Sequence, residues 1–187
     1  IASSLVGSEM CIRDRPGGSP VQSSLIAQKI REISAKKKVK CYCFVEDVAA
    51  SGGYWLACAA DEIYADINSI VGSIGVISGG FGFTDLIKKI GVERRIFTAG
   101  ENESFLDPFQ KVNKKDEDKL IKLQQLIHQN FIDWVSSRRK KKLNDKNKKI
   151  IFSGSFWLAN EAKDLGLIDG IISCLLYTSD AADDRNC

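Results

Sequence analysis

Short apolar runs rich in β-formers alternate with helical stretches along this chain, and that order restricts the fold more than any other feature. Val39 to Val48 reads as a buried strand. Glu62 to Ala65, Ile70 to Ile77, Glu93 to Thr98, Ile150 to Phe152 and Leu167 to Ile172 read as further short strands. Ser19 is a good N-cap and Pro20 suits the first position of a helix that runs to about Lys36, with Leu25, Ile26, Ile30 and Ile33 on one face. Tyr54 to Ala60 starts a compact apolar helix, and Phe83 to Ile90 forms another that Gly91 closes. Asn113 to about Lys142 is a long helix with a buried stripe of Leu120, Leu123, Ile127 and Trp134. Ala99 to Gln110 is a loop, and Phe156 to Leu165 is the last helix, ended by Gly166. The repeated βαβα order predicts an α/β fold with a mostly parallel sheet flanked by helices.

Composition removes several other classes. Apolar residues make up 44% of the chain and charged residues 27%, the balance of a globular protein with a core. No run of about 18 apolar residues occurs, as a transmembrane helix would need. A net charge of +3 gives no footprint for nucleic acid, and six cysteines in 187 residues are too sparse for a disulfide scaffold.

Both ends read as foreign. Glu9-Met10-Cys11-Ile12-Arg13-Asp14 and Leu175-Leu176-Tyr177-Thr178 can be coded by opposite strands of one oligonucleotide. Ser4 to Asp14 and Cys174 to Asp183 resemble translated transposon sequencing adaptors. Residues 1–15 and 174–187 are therefore expected to be adaptor-derived, with residues 16–173 the native part of the sequence. That part keeps three cysteines, Cys41, Cys43 and Cys58, and the alternating Cys41 and Cys43 fit small core positions on one strand face.

Chemistry concentrates at Val45-Glu46-Asp47-Val48-Ala49-Ala50-Ser51-Gly52-Gly53-Tyr54. A strand ends, a small-residue turn follows, and a serine opens a helix. A tight turn exposes the hydroxyl, small neighbours admit a substrate, and free N–H groups at the helix start can hold an oxyanion. The same residues also fit an N-cap serine followed by packing glycines. Gly17-Gly18 is a second glycine pair, where backbone N–H groups can approach a ligand closely. The one histidine, His128, lies in the long helix beside its apolar stripe and reads as a surface or packing residue. Without a histidine, a serine nucleophile needs a desolvated lysine as base.

Pro16-Gly17-Gly18-Ser19, Ala49-Ala50-Ser51-Gly52-Gly53-Tyr54, Ala59-Ala60-Asp61-Glu62-Ile63-Tyr64-Ala65 and Gly72-Ser73-Ile74-Gly75-Val76 resemble the signal peptide peptidase A family, especially its shorter SohB-type bacterial members. The likeness continues through Gly91-Val92, Thr98-Ala99-Gly100, Leu106-Asp107-Pro108-Phe109 and Ala162-Lys163-Asp164-Leu165-Gly166-Leu167-Ile168-Asp169, covering about residues 16–172. It implies a ClpP/crotonase fold and a partial domain of a Ser-Lys serine endopeptidase that degrades signal peptides or other short apolar peptides. Ser51 matches the nucleophile, Gly52 and the Gly17-Gly18 loop the oxyanion hole, and Ser73 a serine that orients the base. The position of the base lysine is Glu103, and no lysine lies between Lys89 and Lys111. Even against a lysine tuned to about 7–8, a carboxylate is roughly three units less basic, about 4 kcal/mol of proton-transfer driving force. The expectation is an impaired peptidase. A non-catalytic peptide-binding scaffold and a crotonase-like acyl-CoA enzyme are the rivals.

No metal or cofactor is expected, since Cys41-Tyr42-Cys43 lacks partners for a zinc site; the resemblance implies a homo-oligomer and association with the bacterial cell envelope on the periplasmic side, with any anchor outside this stretch. The basic run Arg138 to Lys142, with Lys146, Lys148 and Lys149, suggests contact with anionic lipid headgroups, or else a solvated helix end. No aromatic interleaving supports a nucleic-acid partner.

Overall fold

The computed structural model describes residues 8–12, 17–100 and 103–172. In chain order its elements are β1 (Ser8–Ile12), α1 (Pro20–Lys37), β2 (Cys41–Val45), β3 (Val48–Ala50), α2 (Gly52–Ala57), β4 (Glu62–Ala65), β5 (Ile70–Gly72), α3 (Thr84–Lys89), α4 (Lys114–Arg139), α5 (Lys148–Ile151), β6 (Phe156–Leu158), α6 (Ala159–Asp164) and β7 (Gly170–Ile171). Short 3-10 turns at Lys140–Lys142 and Asp145–Asn147 follow α4. The chain divides into two units, residues 1–75 with 128–187, and residues 76–127.

The first unit holds both sheets. One is fully parallel in the order β1-β2-β4-β7, and the other runs β3-β5-β6, with β5 and β6 antiparallel. The α/β class and the mostly parallel sheet are borne out. The predicted strand 39–48 is two strands in two sheets. The chain bends at Glu46-Asp47, where the buried Ser69 hydroxyl donates to the carbonyls of Val45 and Glu46 and the Ile70 amide donates to that of Asp47. Ser8–Ile12, set aside on sequence grounds, pairs in register with β2 as an edge strand. Edge pairing is a main-chain interaction and asks little of the side chains.

Packing corrects other expectations. α1 buries Ser23, Ala27 and Ser34, while Val21, Leu25, Ile26 and Ile33 are exposed. The reason is close approach: a Cβ on Gly52 would sit 2.7 Å from the Ser23 hydroxyl, so only small side chains fit between α1 and α2. In α4 the buried positions are Phe131, Val135 and Arg139, one turn apart, whereas Leu123 is exposed. Trp55 stacks on Phe131 at 4.8 Å, and the Trp134 indole N–H donates to the Trp55 carbonyl. The Tyr54 hydroxyl donates to the Leu167 carbonyl at 2.7 Å, and burial pushes that phenol well above its usual range. Residues 150–152 are not a strand, since Lys148–Ile151 is helical and turns Ile151 into the core. Residues 156–158 are a strand rather than the start of the last helix.

In the second unit α3 falls where the sequence put it, and Gly91 closes it at φ +70°. Residues 93–98 form no strand. This unit is tied by Phe83 against Phe109, by Arg94 over the Phe109 ring, and by the Arg94–Asp107 ion pair at 2.9 Å.

Candidate active site

Ser51 occupies the corner between β3 and α2 with φ 53° and ψ −119°. These angles belong to the first central position of a type II′ turn, where glycine is the usual occupant. A serine there costs of order 1–3 kcal/mol and persists only when its surroundings impose it. They do so here. The Ser51 amide donates to the Gly72 carbonyl at 2.9 Å, and the Ser51 carbonyl accepts from Trp55 at 3.0 Å. On either side Ala49, Ala50, Gly52, Gly53, Tyr54 and Trp55 are buried, while Ser51 itself keeps partial exposure.

The loop Gly17-Gly18 comes to this corner. A Cβ on Gly52 would lie 3.2 Å from the Gly18 nitrogen and 3.4 Å from its Cα, so the two backbones are in contact because neither residue carries a side chain. Gly52 opens α2, and its N–H belongs to the first turn that a helix cannot satisfy internally. Gly17, at φ +151°, faces open space. Ser73 follows the carbonyl that receives the Ser51 amide and has φ 51°, with its own amide donating to the Ser155 carbonyl at 2.7 Å. Ser51, Gly52, Gly18 and Ser73 are thus brought together within the first unit. Glu103 lies in the second unit, exposed, with its side chain folded over Gly100, whose φ is +117°.

Sequence reasoning assigns no role at this corner to three contributors. Ser23 fills the space beside Gly52 and Gly18. The turn Ser153-Gly154-Ser155 supports Gly72 to Gly75, with Gly154 against Gly75 backbone to backbone. His128 hydrogen-bonds the Ile74 carbonyl through Nε2 at 2.9 Å. The short S-G-S between two elements was the one hint available for that turn.

The far end of α2 is fixed by cations. Arg138 donates to the carbonyls of Cys58 and Ala60, Arg31 donates to that of Ala59, and both pair with Asp61. Burial works against the Asp61 charge, yet the Cys41 amide and the two guanidiniums hold its carboxyl below the usual value. Arg139 is 2% exposed and binds the Gly166 carbonyl and Asp169, which Lys142 also contacts at 2.6 Å. Asp169 is likewise penalised by burial and held low by Arg139, Lys142 and the Ile63 amide. Arg138 and Arg139 are therefore engaged with main-chain carbonyls and carboxylates, while Lys142 pairs with Asp169 from an exposed position. Cys41, Cys43 and Cys58 are buried and not joined in disulfides, and burial pushes the Cys58 thiol up to about 12. Among the described residues no cluster of His, Cys, Asp and Glu is disposed to hold a metal ion, and no helix is long and apolar enough to cross a membrane.

The model of peptidase family S49 matches residues 33–184. A Brucella melitensis protein named Na(+)/H(+) antiporter NhaA is 53% identical over 170 residues, covering 91% of this chain and 23% of that protein. The Arabidopsis thaliana chloroplastic serine protease SPPA is 33% identical over 159 residues, covering 84% of this chain and 23% of its own length. Other matched relatives carry the SppA and SohB names. The chain spans about a quarter to a half of the curated relatives it matches. Among solved structures, the membrane-bound stomatin-specific protease 1510-N aligns with a TM-score of 0.53 at 17% identity, over 88% of this chain and 64% of that one. The fold is of the ClpP/crotonase type.

Proposed function

Because the chain belongs to peptidase family S49, we propose that it is the nucleophile-bearing part of a serine endopeptidase acting on signal peptides or other short apolar peptides. One observation carries this reading: Ser51 is held in a strained strand-to-helix corner with the Gly18 backbone packed against Gly52. That geometry suits acyl transfer. The Ser51 hydroxyl loses its proton to a base and attacks the scissile carbonyl, forming a tetrahedral oxyanion. The N–H groups of Gly52 and the Gly17-Gly18 loop serve as its donors. The intermediate collapses, the protonated amine departs, and water deacylates Ser51. Ser73 orients the base.

By the family resemblance the base position holds Glu103, a weaker proton acceptor than a lysine. We therefore read this chain as an impaired peptidase, with a peptide-binding scaffold as the second reading favoured by Glu103. The oxyanion-hole residues are independent of that position, so Ser51 should still react with an electrophile that needs little base assistance. A fluorophosphonate should label the chain at Ser51, and Ser51→Ala should abolish the label. Silence of Ser51 under these conditions, in both the native chain and Glu103→Lys, overturns the enzyme reading. Acyl-CoA binding with no labelling would favour the crotonase-like alternative.

Further parts of the reading come from the relatives. A homo-oligomer at the bacterial envelope, on its periplasmic side, fits family S49 and the membrane-bound protease whose fold this chain shares. Residues 1–15 and 174–187 are proposed as adaptor-derived on the sequence grounds given above, although the family match extends to residue 184. Re-sequencing the source DNA across both ends and codon 103 tests that proposal.

A further inference from the structure

We propose that His128 is a positioning residue for the Ser51 corner, acting through the turn Gly72-Ser73-Ile74-Gly75; the catalytic consequence rests on reading Ser51 as the nucleophile. The turn is the scaffold of the corner, since its first carbonyl receives the Ser51 amide at 2.9 Å. It is also strained, with φ +122° at Gly72 and +51° at Ser73, and only the second residue bears a side chain. Such a turn needs external restraint. Trp157 lies where a Cβ on Gly72 would stand, Ser155 accepts from the Ser73 amide, and Gly154 abuts Gly75. The Gly75 amide closes on the Ser73 carbonyl at 2.9 Å and the Ile74 side chain is fully buried; a further restraint is His128, half-buried, with Nε2 2.9 Å from the Ile74 carbonyl.

A carbonyl only accepts, so Nε2 carries the hydrogen. In the neutral ring Nδ1 is then the unprotonated nitrogen. The nitrogen that reaches the turn is spent as a donor, which separates His128 from the base of a serine–histidine triad. Its contribution is mechanical: it fixes the Ile74 carbonyl, and with it the carbonyl of Gly72 two residues earlier that receives the Ser51 amide.

The test uses the full chain carrying Glu103→Lys, with His128→Phe and His128→Gln built into it. Phenylalanine keeps a ring without the donor, and glutamine keeps an N–H that can reach the carbonyl. His128→Phe should slow fluorophosphonate labelling of Ser51 about five- to tenfold, the worth of one hydrogen bond of roughly 1 kcal/mol or a little more. It should also accelerate hydrogen exchange of the Ser51 amide, while His128→Gln keeps both within about twofold of the parent. Nitrogen NMR of the parent should show the Nε2–H tautomer of His128. The proposal is overturned if His128→Phe matches the parent in labelling and exchange, if His128→Gln is as impaired as His128→Phe, or if the Nδ1–H tautomer is found. Should Ser51 resist labelling in every variant, the peptidase reading fails, and the exchange rate and the tautomer decide the positioning role alone. Should His128→Phe fail to fold, His128→Gln and the tautomer decide it.

Discussion

Cys43, Tyr54, Ala57, Cys58, Ile63 and Ile74 are fully buried in the first unit, whereas no described residue between Val76 and Ile127 is buried. The two proposed halves of the chemistry fall on opposite sides of this divide. Ser51 adopts angles that only a dense surrounding can enforce, and it sits where the core is dense. Glu103 sits in a unit tied by ring contacts and ion pairs. The Ser51 corner is backed by a dense core, whereas the Glu103 position is exposed.

The contrast can be pushed from both sides. The largest effect is expected at the exposed position: Glu103→Lys should raise cleavage of an apolar peptide about a thousandfold, the equivalent of roughly three units of basicity. Peptide cleavage by the unaltered chain that depends on Ser51 would break the comparison. In the first unit, Arg139→Ala leaves Asp169 without its buried partner and should cost about 3–5 kcal/mol in chemical denaturation. Gly52→Ala drives a methyl against Ser23 and the Gly18 backbone, and should cost about 1–3 kcal/mol. Removing the Ser23 hydroxyl as well should recover only part of that loss, because the Gly18 backbone cannot withdraw.

Acid sharpens the same divide. Asp61 and Asp169 have carboxyls depressed in the folded state, so their stabilisation is present above the unfolded value of about 3.9 and is lost as pH falls through the lower folded values. Denaturation midpoints should therefore decline below about pH 4, and Asp169→Asn should flatten that decline. The smallest effect is expected at Phe97, which is 93% exposed: Phe97→Ser should change stability by under about 0.5 kcal/mol.

Local signals made much of this legible from sequence. Glu62 to Ala65 is the short strand expected there, α1 ends within a residue or two of the expected place, and the Ser51 corner lies at the predicted strand-to-helix junction. What failed depended on partners remote in sequence. An apolar run such as 39–48 carries no mark of the bend that Ser69 imposes from more than twenty residues away. The buried face of α1 was misjudged because periodicity locates apolar side chains, while close helix contact selects small ones. Arg138 and Arg139 looked like surface charge because the carbonyls and carboxylates that receive them are set by the tertiary fold. Residues 93–98 have strand-forming side chains, but among the described residues no strand pairs with them.

The groups that close the Ser51 corner are encoded late. Gly72 meets Trp157, the Ser73 amide meets Ser155, Tyr54 reaches Leu167, and the Ile63 amide reaches Asp169. A ribosome adding about 5–20 residues per second needs roughly 5–25 s to travel from codon 51 to codon 169. Throughout that interval the strained corner has no complete support, and it can be held at its folded angles only after translation has passed the last of these partners.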